Sequence, residues 1–156
     1  MIRTALTALF LSLLPISELR GAIPYAYFNG IGIIQSYLIG VLGNMIVIPA
    51  GFLFFSIVEK ILLKFEFFRN FIEKRALKVR DNFTKYGYLG LTVFVAIPLP
   101  VTGAWTGILG AWFLGLDKKK SSLAVAAGVL IAGLIVSIVI LTGSGLASVF
   151  TKTISV

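Results

Sequence analysis

The chain has no cysteine and no histidine. Without cysteine there is no disulfide framework, no thiol nucleophile and no thiolate metal site. Without histidine the usual general base and the commonest metal ligand are missing, which excludes Ser–His chemistry such as intramembrane proteolysis. Charge is scarce as well, with six Asp and Glu and 14 Lys and Arg among 156 residues. Five of the six carboxylates fall in polar segments, so no metal cluster is apparent. The apolar segments hold no nucleophile–base set. The expectation is a protein that is not an enzyme and takes neither metal nor cofactor.

What is there in abundance is apolar. Hydrophobic residues make up 58% of the chain, and the mean hydropathy is +1.02. The apolar stretches 4–28, 31–58, 86–116 and 122–150 all exceed the roughly 20 residues that cross a bilayer core. One membrane domain over 1–156 is expected, with no soluble domain. The net charge of +8 is not a nucleic-acid signal. It comes mainly from 59–85 and from Asp-Lys-Lys-Lys at 117–120, and basic residues beside spans are read first as topology determinants. The start, Met-Ile-Arg-Thr before an apolar run, has the outline of a signal peptide. The run ends in P-I-S-E-L-R with no A-x-A site, so it is read as part of the domain.

Two charges break the first apolar run. Glu18 and Arg20 lie in P-I-S-E-L-R-G-A-I-P, bracketed by Pro15 and Pro24. An ionisable residue at membrane depth costs at least about 2.5 kcal/mol on insertion scales and is a functional-site hypothesis by default. On a helix the pair points apart; in an extended break it projects to one side. Either the two form a structural ion pair, or Glu18 is a candidate proton carrier and Arg20 a forked donor for a carboxylate or phosphate.

A second break sits at I-P-L-P (97–100) inside a 31-residue apolar stretch. Pro98 and Pro100 cannot sit in a regular helix interior. The two arms are each shorter than the hydrocarbon core, which describes a re-entrant hairpin. The first segment repeats the plan, with Pro15, Gly21 and Pro24 in its break and Gly103 just after the second. The stretches 33–58 and 122–150 read as full spans, the first kinked at Pro49. Each half is then a hairpin followed by a span, repeat 1 over 1–58 and repeat 2 over 86–156, the second inserted upside down. That is the inverted-repeat plan of secondary transporters, whose sites lie at the midplane. Both termini are expected outside the cytoplasmic membrane, with 59–85 and 117–120 in the cytoplasm. This puts eleven Lys and Arg on the inner side against two outside, whereas four plain crossings give ten against three.

Between the halves, Ile61, Phe65, Phe68, Ile72, Ala76, Val79 and Phe83 recur every three or four residues amid basic ones. An interfacial amphipathic helix over 59–85, in contact with anionic lipid headgroups, is expected. Small residues recur at four-residue spacing in Gly103-Gly107-Ala111-Gly115, Gly32-Ser36-Gly40-Asn44 and Ala124-Gly128-Ala132. Such ridges pack helices closely, within one chain before a homodimer. The second break adds Thr102, Trp105 and Thr106 as partners without charge. Asn44 is the other polar side chain at depth, where an interhelical hydrogen bond is its first reading.

The motifs P-I-S-E-L-R-G-A-I-P (15–24), V-A-I-P-L-P-V-T-G-A-W-T-G (95–107), K-Y-G-Y-L-G-L (85–91) and G-V-L-I-A-G (128–133) resemble the small multidrug export protein family over nearly the whole chain. That family in turn resembles the DedA/SNARE-associated (VTT) membrane superfamily, some of whose members transport or scramble lipids. The resemblance implies paired re-entrant loops and inverted repeats. One departure is plain: the second hairpin has no Arg or Lys where DedA-type proteins have a basic residue.

The expectation is therefore an all-α membrane transporter or flippase, proton-linked, that moves an amphiphilic or anionic molecule or lipid. Its site lies between the hairpin tips, at Glu18, Arg20, Asn44, Pro98, Pro100, Thr102, Trp105 and Thr106. One alternative is a four-helix proton/drug antiporter like the small multidrug resistance proteins, which Arg20 disfavours by repelling cations. Another is a non-transporting protein of membrane assembly or lipid organisation.

Overall fold

The computed structural model describes residues 1–64, 85–99 and 102–154. Among them are six α-helices and no strand: α1 (Ile2–Leu13), α2 (Glu18–Phe28), α3 (Ile33–Leu62), α4 (Lys85–Ala96), α5 (Ala104–Phe113) and α6 (Lys118–Ile154). α3 and the Lys118–Gly143 stretch of α6 are long and apolar enough to cross a membrane. The other four have 10 to 12 residues. At about 15–18 Å each they reach only about half-way through a hydrocarbon core. Two short helices followed by a long one thus occur twice in chain order.

Proline sets both interruptions. Leu14, before Pro15, takes the extended φ −74°, ψ 137° that a residue preceding proline prefers. The break is shorter than the sequence suggests. It ends at Ser17, and Gly21 and Pro24 lie inside α2, because Pro24 removes only the bond to the Arg20 carbonyl. Glu18 and Arg20 therefore sit on the first turn of a helix, not on an extended strand. α2 ends at Asn29-Gly30, where Gly30 takes φ 87° and turns the chain into α3. The second interruption runs from Ile97 to Gly103; Pro100 lies outside the described residues.

α2 packs on α1, α3 and α6, and α5 packs on α3, α4 and α6. Leu19 and Ile23 of α2, Val47 of α3, Val95 of α4, Ile108 of α5 and Val129 of α6 share one core. The small-residue stripes mark contacts within the chain. A Cβ at Gly40 would strike Ile23, and one at Gly128 would meet the Thr92 carbonyl. The outward faces stay apolar: Leu38, Leu42, Ile46 and Leu53 on α3 and Leu134 and Ile138 on α6 are exposed. In water so broad an apolar face is a liability; in lipid it is the solvated side. Of the amphipathic helix expected at 59–85, Glu59 to Leu62 continue α3, while 65–84 lies outside the described residues.

Candidate functional site

A helix broken in an apolar environment leaves amides open at one helix start and carbonyls open at another helix end. Here each interruption is completed by residues of the other. The Glu18 carboxylate, 3% exposed, accepts from the Ala104 N–H at 3.3 Å and from the Trp105 N–H at 3.1 Å. These are the first amides of α5, where the helix dipole favours an anion. Arg20 donates through one Nη to the Leu99 carbonyl and through the other to Thr102 Oγ1 at 3.1 Å. Thr102 Oγ1 also accepts from the Leu99 N–H at 3.2 Å and donates to the Ile97 carbonyl, which folds the loop around the guanidinium's target. In return, the Trp105 indole N–H donates to the Leu13 carbonyl at 3.0 Å, an open acceptor at the end of α1.

Helical phase explains the division of labour. Residues two apart on a helix do not face each other, so Glu18 reaches the start of α5 while Arg20 reaches the preceding loop. Among the described residues neither accepts or donates a hydrogen bond to the other. Glu18 is also the one non-glycine with positive φ, 47°, among the described residues. Backbone held there costs about 1–3 kcal/mol and persists where surroundings over-determine it. Gly103 permits the contact, since a Cβ on it would overlap the Glu18 carboxylate.

Asn44 of α3 is 1% exposed, and among the described residues neither of its amide atoms has a partner; the Arg20 Nε is likewise buried and unpaired there. The interhelical bond expected of Asn44 is thus not made. All three atoms belong to residues lining one crevice, with Glu18 and Gly103 at one end and Val95 and Val129 as apolar walls. It holds about 150 Å³ of empty space and is too narrow for a water molecule. A buried amide without partners costs about 1–3 kcal/mol.

Of the other sequence candidates, Pro15 lies in the exposed first turn and Pro98 in the second interruption. Thr106 bonds back to the Gly103 carbonyl at 3.3 Å and stays within its own helix turn. Sequence reading missed the Leu13 and Leu99 carbonyls and the Ala104 amide. Backbone atoms carry no residue signature, and of the three only Ala104 has a glycine beside it, Gly103, that could have pointed there.

Among the described residues every element is helical, two helices are long and apolar enough to cross a membrane, and Glu18 is buried where the two interruptions meet. A family model described as "Putative small multi-drug export protein" matches residues 18–135, about three quarters of the chain. The chain belongs to this family, whose name is that of a kind of membrane transporter. No curated protein and no solved structure matches it. The matched span opens at Glu18 and holds every member of the interlock except Leu13.

Proposed function

We propose that the chain is a proton-linked transporter or flippase of the cytoplasmic membrane, moving an anionic or amphiphilic molecule between two re-entrant hairpin tips. The hairpins are α1–α2 and α4–α5, and the spans are α3 and α6. The halves are an inverted pair, with both termini outside. Lys60, Lys64 and Lys118 to Lys120 then lie at the anionic cytoplasmic leaflet. A distant kinship with DedA-type proteins fits this plan.

The observation that carries the reading is the Glu18 carboxylate on the amides of Ala104 and Trp105. Those amides with Arg20 make a seat for an anion, and Glu18 occupies it from within the chain. Protonation removes the charge that holds Glu18 there. The tips can then part, and a substrate carboxylate or phosphate can replace Glu18 beside Arg20 and Asn44. Two features favour a moving over a static interlock: the strained backbone at Glu18 and the partnerless Asn44 amide. A four-crossing antiporter of cationic drugs is disfavoured by the fixed positive charge of Arg20 at the same tip.

Reconstitution into proteoliposomes with an imposed pH gradient tests it. A fluorescent anionic phospholipid should change leaflet faster with the gradient than without. Movement unaffected by the gradient would remove the proton link.

A further inference from the structure

At the other end of α5 lies a second cavity that shares no lining residue with the first. It holds about 420 Å³ of empty space, lined by Phe52, Glu59, Trp112, Gly115, Leu116 and Lys118. Its lining carries one acid, Glu59, and one base, Lys118. One wall is the last turns of α3: Glu59, half-buried, accepts from the Trp112 indole N–H at 3.1 Å, and Phe55 stacks on Trp112 at 5.4 Å between ring centroids. A helix C-terminus and a carboxylate together favour an ammonium group. The start of α6 adds Lys118, whose Nζ reaches across to α3 and donates to Ser56 Oγ at 2.9 Å, one turn before Glu59. A helix N-terminus with a lysine favours a phosphate. Asp117, next in chain, is engaged by the Lys120 N–H at 2.9 Å.

The position selects a lipid over a soluble ligand. The cavity opens where two apolar helices of membrane length end or begin. Leu53, Phe54, Ile57 and Phe113 beside it are exposed, a surface for acyl chains below an aromatic rim.

We propose that this cavity seats the headgroup of a zwitterionic, amine-bearing phospholipid, its ammonium against Glu59 and its phosphate against Lys118. The site is separate from the Glu18–Arg20 interlock, so its occupancy does not depend on what the tips transport.

Native mass spectrometry of the detergent-solubilised protein, titrated with phosphatidylethanolamine or phosphatidylglycerol, measures it. Phosphatidylethanolamine should bind at least about tenfold more tightly, the scale of one hydrogen bond to a charged group. Glu59→Gln keeps an acceptor for Trp112, so the fold should hold, yet it should lose about tenfold for phosphatidylethanolamine and nothing for phosphatidylglycerol. Lys118→Met should weaken phosphatidylethanolamine similarly. Phosphatidylglycerol binding as tightly, or Glu59→Gln without effect, would overturn the proposal. So would an unchanged affinity in Lys118→Met with competition by tetraphenylphosphonium, which marks a plain cation site. Soluble phosphoethanolamine binding as tightly as the lipid would overturn the assignment to a lipid.

Discussion

Trp105 meets Glu18 through its backbone N–H, at 3.1 Å, while its indole N–H reaches back to Leu13 at 3.0 Å. One residue in the first turn of α5 thus bonds both to α2 and to the end of α1. Neither pair of short helices is completed without the other, and the hydrogen bonds of the two charges that stand out in the sequence run across this exchange, not between the two.

Trp105→Phe keeps the ring and removes the indole donor. The Leu13 carbonyl is then left open at the end of α1. A loss of about 1–3 kcal/mol is expected for an orphaned buried acceptor, read as a lower midpoint of thermal unfolding in detergent. Faster amide exchange should be confined to the α1–α2 turn.

Gly103→Ala drives a methyl into the space of the Glu18 carboxylate. Overpacking of this kind destabilises by about 1–3 kcal/mol. In a Glu18→Ala background the same change should be nearly silent, because the group it displaces is gone. A double-mutant cycle on unfolding midpoints measures that difference; equal effects in both backgrounds would mean the two residues are not in contact.

Arg20→Lys keeps the charge but replaces a fork by a single ammonium. It cannot hold the Leu99 carbonyl and Thr102 Oγ1 in the same geometry, so both stability and transport should fall. Thr102→Val removes one of the two targets and should cost less than Arg20→Lys. The reverse order would place Arg20's weight elsewhere.

The native chain has no cysteine, so single-cysteine variants are clean topology probes. Ser121 is fully buried and unsuitable, whereas Arg3, Lys64 and Lys119 are exposed. Arg3→Cys should react with an impermeant reagent from outside the cell. Lys64→Cys and Lys119→Cys should react only from the cytoplasm. Lys119→Cys reacting from outside would mean that α4 and α5 together cross the bilayer.

Local patterns carried much of this far. Proline pairs marked both interruptions, four-residue glycine and alanine spacing marked the packing ridges, and two charges in an apolar run marked Glu18 and Arg20. Pro24 misled, because a proline inside a helix deletes only one bond and the helix runs on through it. The expectation for Asn44 failed because a hydrogen bond needs a partner in place, and its spacing on α3 says nothing of what stands opposite. The Glu59, Trp112 and Lys118 cluster was not seen either. Its members lie up to 59 positions apart and meet only where three helix ends converge.

Glu18→Gln bears most directly on the central claim. It keeps the size and an acceptor for the α5 amides but carries no titrating charge. In proteoliposomes the parent should move an anionic fluorescent phospholipid in response to an imposed pH gradient. The Glu18→Gln protein, inserted equally well, should show only gradient-independent movement. Gradient-driven movement by Glu18→Gln equal to that of the parent at every pH would contradict the account.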